Sequence, residues 1–193
     1  AQANVDADIT NQAGGTISVS TSTGSTNTYG LKLTKEGATH SNSGTWTVSS
    51  AKIVLAGNGT SFTQSGAGAS LAVVPEVTNP ATGAAFQFGA LADTTQNVLT
   101  INDGNVTGDL TLYHTAATVG ASVTVGAGST WTFYSDGGPN STWTGDVPAN
   151  LEVELKPRGA SDGAFLDSTA SFANNGTISI QATGQYIPNG AYG

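Results

Sequence analysis

The sequence has no cysteine and no methionine, and only 9% of its residues are charged. Without cysteine there is no disulfide, no thiolate nucleophile and no Cys-ligated zinc. Five lysines and arginines, against thirteen acids, cannot line a basic stripe, which excludes nucleic-acid binding and disfavours a lipid surface. The resulting charge of −8 suits a colloidally stable surface. Two histidines, His40 and His114, leave little material for general acid–base chemistry. No apolar run approaches the roughly 18 residues of a membrane-spanning helix. The scarcity of Lys and Glu also speaks against helices, whose exposed faces usually carry them.

What is abundant is Thr, Ser, Asn and 26 glycines without a collagen period. Apolar and small polar residues alternate in "TISVS" (16–20), "LKL" (31–33), "LTI" (99–101), "LTL" (110–112), "VTV" (123–125), "LEVEL" (151–155) and "TISI" (177–180). Period two is the mark of strands with one buried face. The breaks are turn-formers such as "AGNG", "NDGN", "SDGGPN" and "NNG". "GASLAVVPEV" (68–77) reads as a strand or short turn, and no amphipathic helix is found. The 193 residues suffice for a single all-β domain.

All three tryptophans lie between two threonines, in "GTWTV" (44–48), "STWTF" (129–133) and "STWTG" (141–145). Alternation turns Trp46 and Trp131 inward with Val48 and Phe133, and the threonines outward. Trp143 is ambiguous, because Gly145 follows it. The predicted core is Ile17, Val19, Leu31, Leu33, Trp46, Leu99, Ile101, Leu110, Leu112, Val123, Val125, Trp131, Leu151, Val153 and Ile178. "GTISV" (15–19) and "GTISI" (176–180) share the same [GS]-T-[IW]-[ST] frame, a degenerate internal repeat at irregular spacing.

"ITNQAGGTISV", "NTYGLKLTKEGATHSNSGTWTV", "VLTINDGNVTGDLTL" and "ASFANNGTISI" resemble coils of the right-handed parallel β-helix in bacterial autotransporter passengers and haemagglutinin-type surface proteins. "NSTWTGDVPANLEVEL" is similar to the Ser-Thr-Trp coils near the end of such passengers. Residues 75–97 lack the pattern. The resemblance implies a β-solenoid at a cell surface. Alternation by itself leaves an antiparallel β-sandwich or jelly roll open, and "INDGNVTGDLTL" reads as a hairpin with "NDGN" as its turn.

No serine occupies a G-x-S-x-G elbow. His40 and His114 are read as surface or turn residues. Even spacing puts Asp6/Asp8, Asp103/Asp109 and Glu152/Glu154 on common outward faces, which glycoside chemistry requires. However, Lys32, Lys35, Lys52, Lys156 and Arg158 join none of these pairs, and Glu152 and Glu154 read as solvated. No catalytic residue and no cofactor is assigned. Asp103, Asn105 and Asp136 are calcium candidates in Asp-Gly turns that match neither an EF-hand nor a β-roll repeat. Tyr113, Tyr134 and Trp143 are candidates for stacking on a glycan. Sequons occur at Asn58, Asn105, Asn140 and Asn175. The irregular frame spacing argues against an ice-binding threonine array.

These features predict a non-catalytic, structural or adhesive surface protein that self-associates, with a glycan or host surface as a further partner. A glycan-binding adhesin and a polysaccharide-active enzyme are the alternatives. The opening "AQANVDADIT", with its A-x-A residues, predicts secretion. Unpaired strand edges predict self-association, with "ANVDADITNQAGGTISVS" (3–20) as a strand for donation.

Overall fold

The computed structural model describes residues 3–20, 30–74, 85–90, 92–135, 138–157, 165–168 and 170–181. Among them every regular element is a β-strand. The chain passes repeatedly through the same three directions. The first pass gives β1 (Ala3–Val5), β2 (Thr10–Asn11) and β3 (Thr16–Ser20); the second gives β4 (Leu31–Leu33), β5 (Thr39–Asn42) and β6 (Thr45–Ser49). Next come β7 (Lys52–Leu55), β8 (Ser61–Gln64) and β9 (Ser70–Val74), then β10 (Ala85–Phe88) and β11 (Asn97–Thr107). They are followed by β12 (Leu110–Tyr113), β13 (Thr115–Val125), β14 (Ser129–Ser135), β15 (Ser141–Thr144), β16 (Leu151–Pro157), β17 (Leu166–Asp167) and β18 (Thr177–Ile180).

Every described strand pair is parallel, so the antiparallel hairpin reading does not hold. One sheet has eight strands in the order β1-β4-β7-β10-β12-β14-β16-β18. The other runs β2-β5-β8-β11-β13-β15-β17, and a further row, β3-β6-β9, joins it at β11. β11 pairs with β8 through 98–101 and with β9 through 105–107, so this one strand serves two rows. "NDGN" is therefore the bend inside a strand and not a hairpin turn. Register shifts between Ile101 and Asp103, where β11 pairs with β13, and Gly104 has φ of 86°. A Cβ at Gly104 would lie 2.2 Å from the Ala69 carbonyl oxygen, which is why glycine is required there.

Parallel in-register pairing turns alternation into columns that run through the stack. In the eight-stranded sheet Leu31, Ile53, Phe86, Leu110, Trp131, Val153 and Ile178 form one inward column. Leu33, Leu55, Phe88, Leu112, Phe133, Leu155 and Ile180 form the next. The three tryptophans fall on three different rows. Trp131 stands in the eight-stranded sheet, Trp143 beside Ala117 in the β11–β13–β15 row, and Trp46 between Ile17 and Leu71. All three are buried. Trp46 meets Phe62 and Phe86 edge-on, with centroids at 5.3 and 6.1 Å, and Trp143 meets Trp131 at 6.0 Å and Phe133 at 6.2 Å. Each such ring removes on the order of 150–250 Å² from water.

Most of the predicted core is buried: Leu33, Trp46, Leu99, Ile101, Leu110, Leu112, Val123, Val125, Trp131, Leu151 and Val153. Ile17, Val19 and Leu31 are partly buried and pack against it. Ile178 is a correction, being 38% exposed, because β18 ends the sheet among the described residues. Segment 3–20 pairs with β4, β5 and β6 of its own chain, so it is not a free strand for donation.

Polar residues also point inward, as a ladder of amides. Asn11 Nδ2 donates to Asn42 Oδ1 at 2.9 Å, and Asn42 Nδ2 donates to Gln64 Oε1 at 3.1 Å and to the Ser70 carbonyl at 3.0 Å. Gln64 Nε2 then reaches the carbonyls of Asp103 and Asn105. All three amides are buried, and the ladder supplies the hydrogen bonds that their burial requires.

Candidate functional site

The most differentiated surface is the outward face of the eight-stranded sheet over β12, β14, β16 and β18. Alternation sends Thr111, Thr132, Glu154 and Ser179 outward in one column, and Tyr113, Tyr134 and Lys156 in the next. Tyr113 and Tyr134 stack with centroids at 5.2 Å and planes 19° apart. Each ring thus turns one face to the other. Glu154 accepts from Thr132 Oγ1 at 2.9 Å and from Lys156 Nζ at 2.7 Å. The Glu154 carboxylate holds the Lys156 ammonium above the usual lysine range. Glu154 is only 5% exposed, which corrects its reading as solvated. Glu152 Oε1 accepts from Ser179 Oγ at 2.7 Å.

Beside this face lies an open polar groove of about 290 Å³, lined by Ser129, Thr130, Asn150, Glu152, Asn175 and Thr177 among others. Its floor follows the tight turns before β14, β16 and β18. Gly128 and Asn150 there have φ of 74° and 68°. The groove offers hydroxyls, two amides and one carboxylate, a set suited to hydrogen-bonding a neutral hydroxylated ligand.

The other candidate residues are held in structural roles. Trp143 is buried, and its Nε1 donates to the Gly145 carbonyl at 2.7 Å, so it offers no ring to a glycan. Asp8 is paired with Lys35 and accepts from Thr39 N at 2.9 Å; both contacts hold its carboxyl below the usual range. Lys35 and Lys156 therefore do join candidate acids. Asp109 Oδ1 accepts from Thr130 N at 3.0 Å. Asp103 and Asn105 lie within β11, and Asp136 and Arg158 lie outside the described residues. Among the described residues no three His, Asp or Glu side chains come together as a metal site. Of the sequons, Asn58 Oδ1 accepts from Thr94 N and Thr95 N, and Asn140 Nδ2 donates to Asp167. Asn175 borders the groove, and Asn105 is part of β11.

Both histidines are buried, not superficial. His114 has φ of 46°, and its Nδ1 donates to the Pro139 carbonyl at 2.9 Å. His40 is an inward residue of β5, in register with Phe62. Its Nδ1 accepts the Ile9 N–H at 3.1 Å, so that nitrogen carries no proton and the ring is neutral. Burial pushes the His40 pKa below 6.5, against a smaller upward pull from Asp8 and with a smaller downward one from Lys35. The unfolded chain therefore takes up a proton near pH 6.5, before the folded one does. Stability contributed by the neutral ring is complete above pH 6.5 and declines as pH falls toward the folded pKa, by at most about 1.4 kcal/mol per pH unit. Thermal melts between pH 7.5 and 5 should show this decline, and His40→Gln should flatten it. An equal slope in the variant assigns the decline to other groups.

Sequence reasoning missed the buried cluster of Asp93, Asn97 and Thr60. Asn97 Nδ2 donates to Asp93 Oδ2 at 2.6 Å, Ala90 N donates to the same oxygen at 2.7 Å, and Thr60 N donates to Asn97 Oδ1 at 2.9 Å. These groups close the corner between β10 and β11 on themselves. Compared with protein-family models, curated proteins and solved structures, the chain shows no significant match.

Proposed function

We propose that this chain is a β-solenoid acting as a secreted, non-catalytic structural protein of a cell surface, which self-assembles into an extracellular filament or lattice. The observation that supports it most is the employment of the polar groups. Asp8, Lys35, Glu154, His40 and the amide ladder join one pass of the chain to the next, Lys156 pairs with Glu154 on its own strand, and Asp93 closes a corner. What remains outward is a regular surface of hydroxyls and amides on a stiff parallel stack. Such a surface suits lateral packing or adhesion, and the texture shared with autotransporter passengers agrees with it. Negative-stain microscopy of the purified chain tests the reading. Regular polymers are the expected result; a protein that stays monomeric over a wide concentration range overturns it.

A second reading, a glycan-binding adhesin, is favoured by the outward Tyr113–Tyr134 pair and, at the opposite end of the same strands, the hydroxyl-lined groove. It predicts retention on a glycan array that Tyr134→Ala abolishes while leaving the melting temperature within a few degrees.

A further inference from the structure

The ends of the parallel stack bear on how copies would meet. β1 has one neighbour, β4, and β18 has one neighbour, β16. Their outer edges face no strand among the described residues, and a free edge is a template for a further strand. The apolar residues there continue the interior columns. Ile178 follows Trp131 and Val153, and Ile180, 72% exposed, follows Phe133 and Leu155. At the opposite end Ala3 and Val5 begin these same two columns, opposite Leu31 and Leu33. Val5, Ile9, Ile17 and Val19 are only partly buried against the core. Within this sheet the two ends are thus successive members of one pattern.

We infer, on the self-assembly reading above, that copies join end to end, with β18 of one copy pairing in parallel with β1 of a second. Ile178 then lies over Ala3 of the second copy, and Ile180 over Val5. A second copy is the fitting occupant because the required contact is the one the chain already makes between every two neighbouring strands of this sheet. The join is heterologous, so it propagates instead of closing on itself.

The same translation sets a constraint on the second row. Asp167 stands in the outward column of Thr142, Ala116, Val98, Ser61 and Thr39, and Asp8 precedes Thr39 with a carboxylate oxygen on its N–H. Because β17 lies level with β16, and β2 with β1, joining β18 to β1 leaves Asp167 of one copy and Asp8 of the next two strand spacings apart, about 9.5 Å. Asp8 keeps Lys35 beside it, and Asp167 has Asn140. Two carboxylates at that distance oppose the joint only weakly at low salt, and screening relieves them. The chain's net charge of −8 acts in the same direction.

A chain without cysteine permits a direct test. Val5→Cys and Ile180→Cys are prepared separately, checked for folding by circular dichroism, and mixed under oxidising conditions. The joint requires a 5–180 cross-link, since paired strands bring Cα atoms within disulfide range. Asp6→Cys with Gln181→Cys provides a second pair in the adjoining column should Val5→Cys fail to fold. Association should strengthen several-fold between low ionic strength and about 1 M salt by sedimentation equilibrium, as screening relieves the repulsion between copies of charge −8. A 180–180 cross-link between two copies of the Ile180→Cys variant overturns the inference, as does a thiol at position 180 that a reagent cannot reach in the monomer. Association that weakens as salt rises overturns the apolar end-to-end contact. Polymers that form without the 5–180 cross-link leave self-assembly standing and remove the end-to-end joint. Absence of any association removes the self-assembly reading as well.

Discussion

Trp46→Ala lowers the unfolding free energy by about 3–5 kcal/mol, the usual range for deleting a large buried ring. In a chain of this size each kcal/mol moves the melting temperature by roughly 2–4 °C, so the midpoint falls by about 6–20 °C. Trp46 is fully buried and touches Phe62 and Phe86, which themselves meet at 5.4 Å. Removing it opens a void that three rows of the stack share. Trp46→Phe costs much less, about 1–2 kcal/mol, because it keeps a ring and deletes an indole N–H that finds no acceptor among the described residues. Thr47→Ala, one residue on and facing outward, changes stability by less than about 0.5 kcal/mol. Denaturant melts of the three variants check the ordering. A Thr47 effect as large as that of Trp46 would contradict the inward–outward assignment.

Asn42→Ala is expected to cost about 2–4 kcal/mol, since alanine leaves several buried donors and acceptors without partners, at roughly 1–3 kcal/mol for each one that water cannot reach. The amide accepts from Asn11 Nδ2 and from Gly44 N at 3.2 Å, and donates to Gln64 Oε1 and the Ser70 carbonyl. Gln64→Ala breaks the same ladder from its other side. The double variant should therefore lose less than the sum of the singles, by about 0.5–3 kcal/mol of coupling. Strict additivity in a double-mutant cycle would show that the amides act independently and that the ladder is not a cooperative unit.

The comparison of sequence with structure turns on what alternation can encode. Parity along one strand needs no knowledge of its neighbours, so Trp46, Trp131, Leu99 and Val153 are readable as inward residues. Position within the stack is tertiary, so Ile178, with the same local pattern, is exposed because β18 is the last strand among the described residues. Polarity misleads where parity is right. His40 and Asn42 alternate inward in "THSN", but their polar side chains suggest a turn. The Asn-Asp-Gly signal at 102–104 reads as a hairpin, and parallel pairing on both sides instead makes it a bend within β11. The Asn-rich approach to the [GS]-T-[IW] frame carries more than a turn preference. Asn42 Oδ1 and Asn174 Oδ1 each accept the N–H of the glycine two residues on, both at 3.2 Å. Parity places Tyr113 and Tyr134 outward correctly, but their mutual stacking depends on register, which no single strand reveals.

The corners between the eight-stranded sheet and its neighbour have a practical consequence. His114 alone separates β12 from β13, whereas residues 89–96 separate β10 from β11, yet both passes enter the second row in the same register. Closing a longer excursion costs only a logarithmic increment in chain entropy. The longer corner is therefore a natural attachment point for grafted peptides, where a foreign epitope can be displayed at the edge of the sheets while the strand pairing beneath it stays closed.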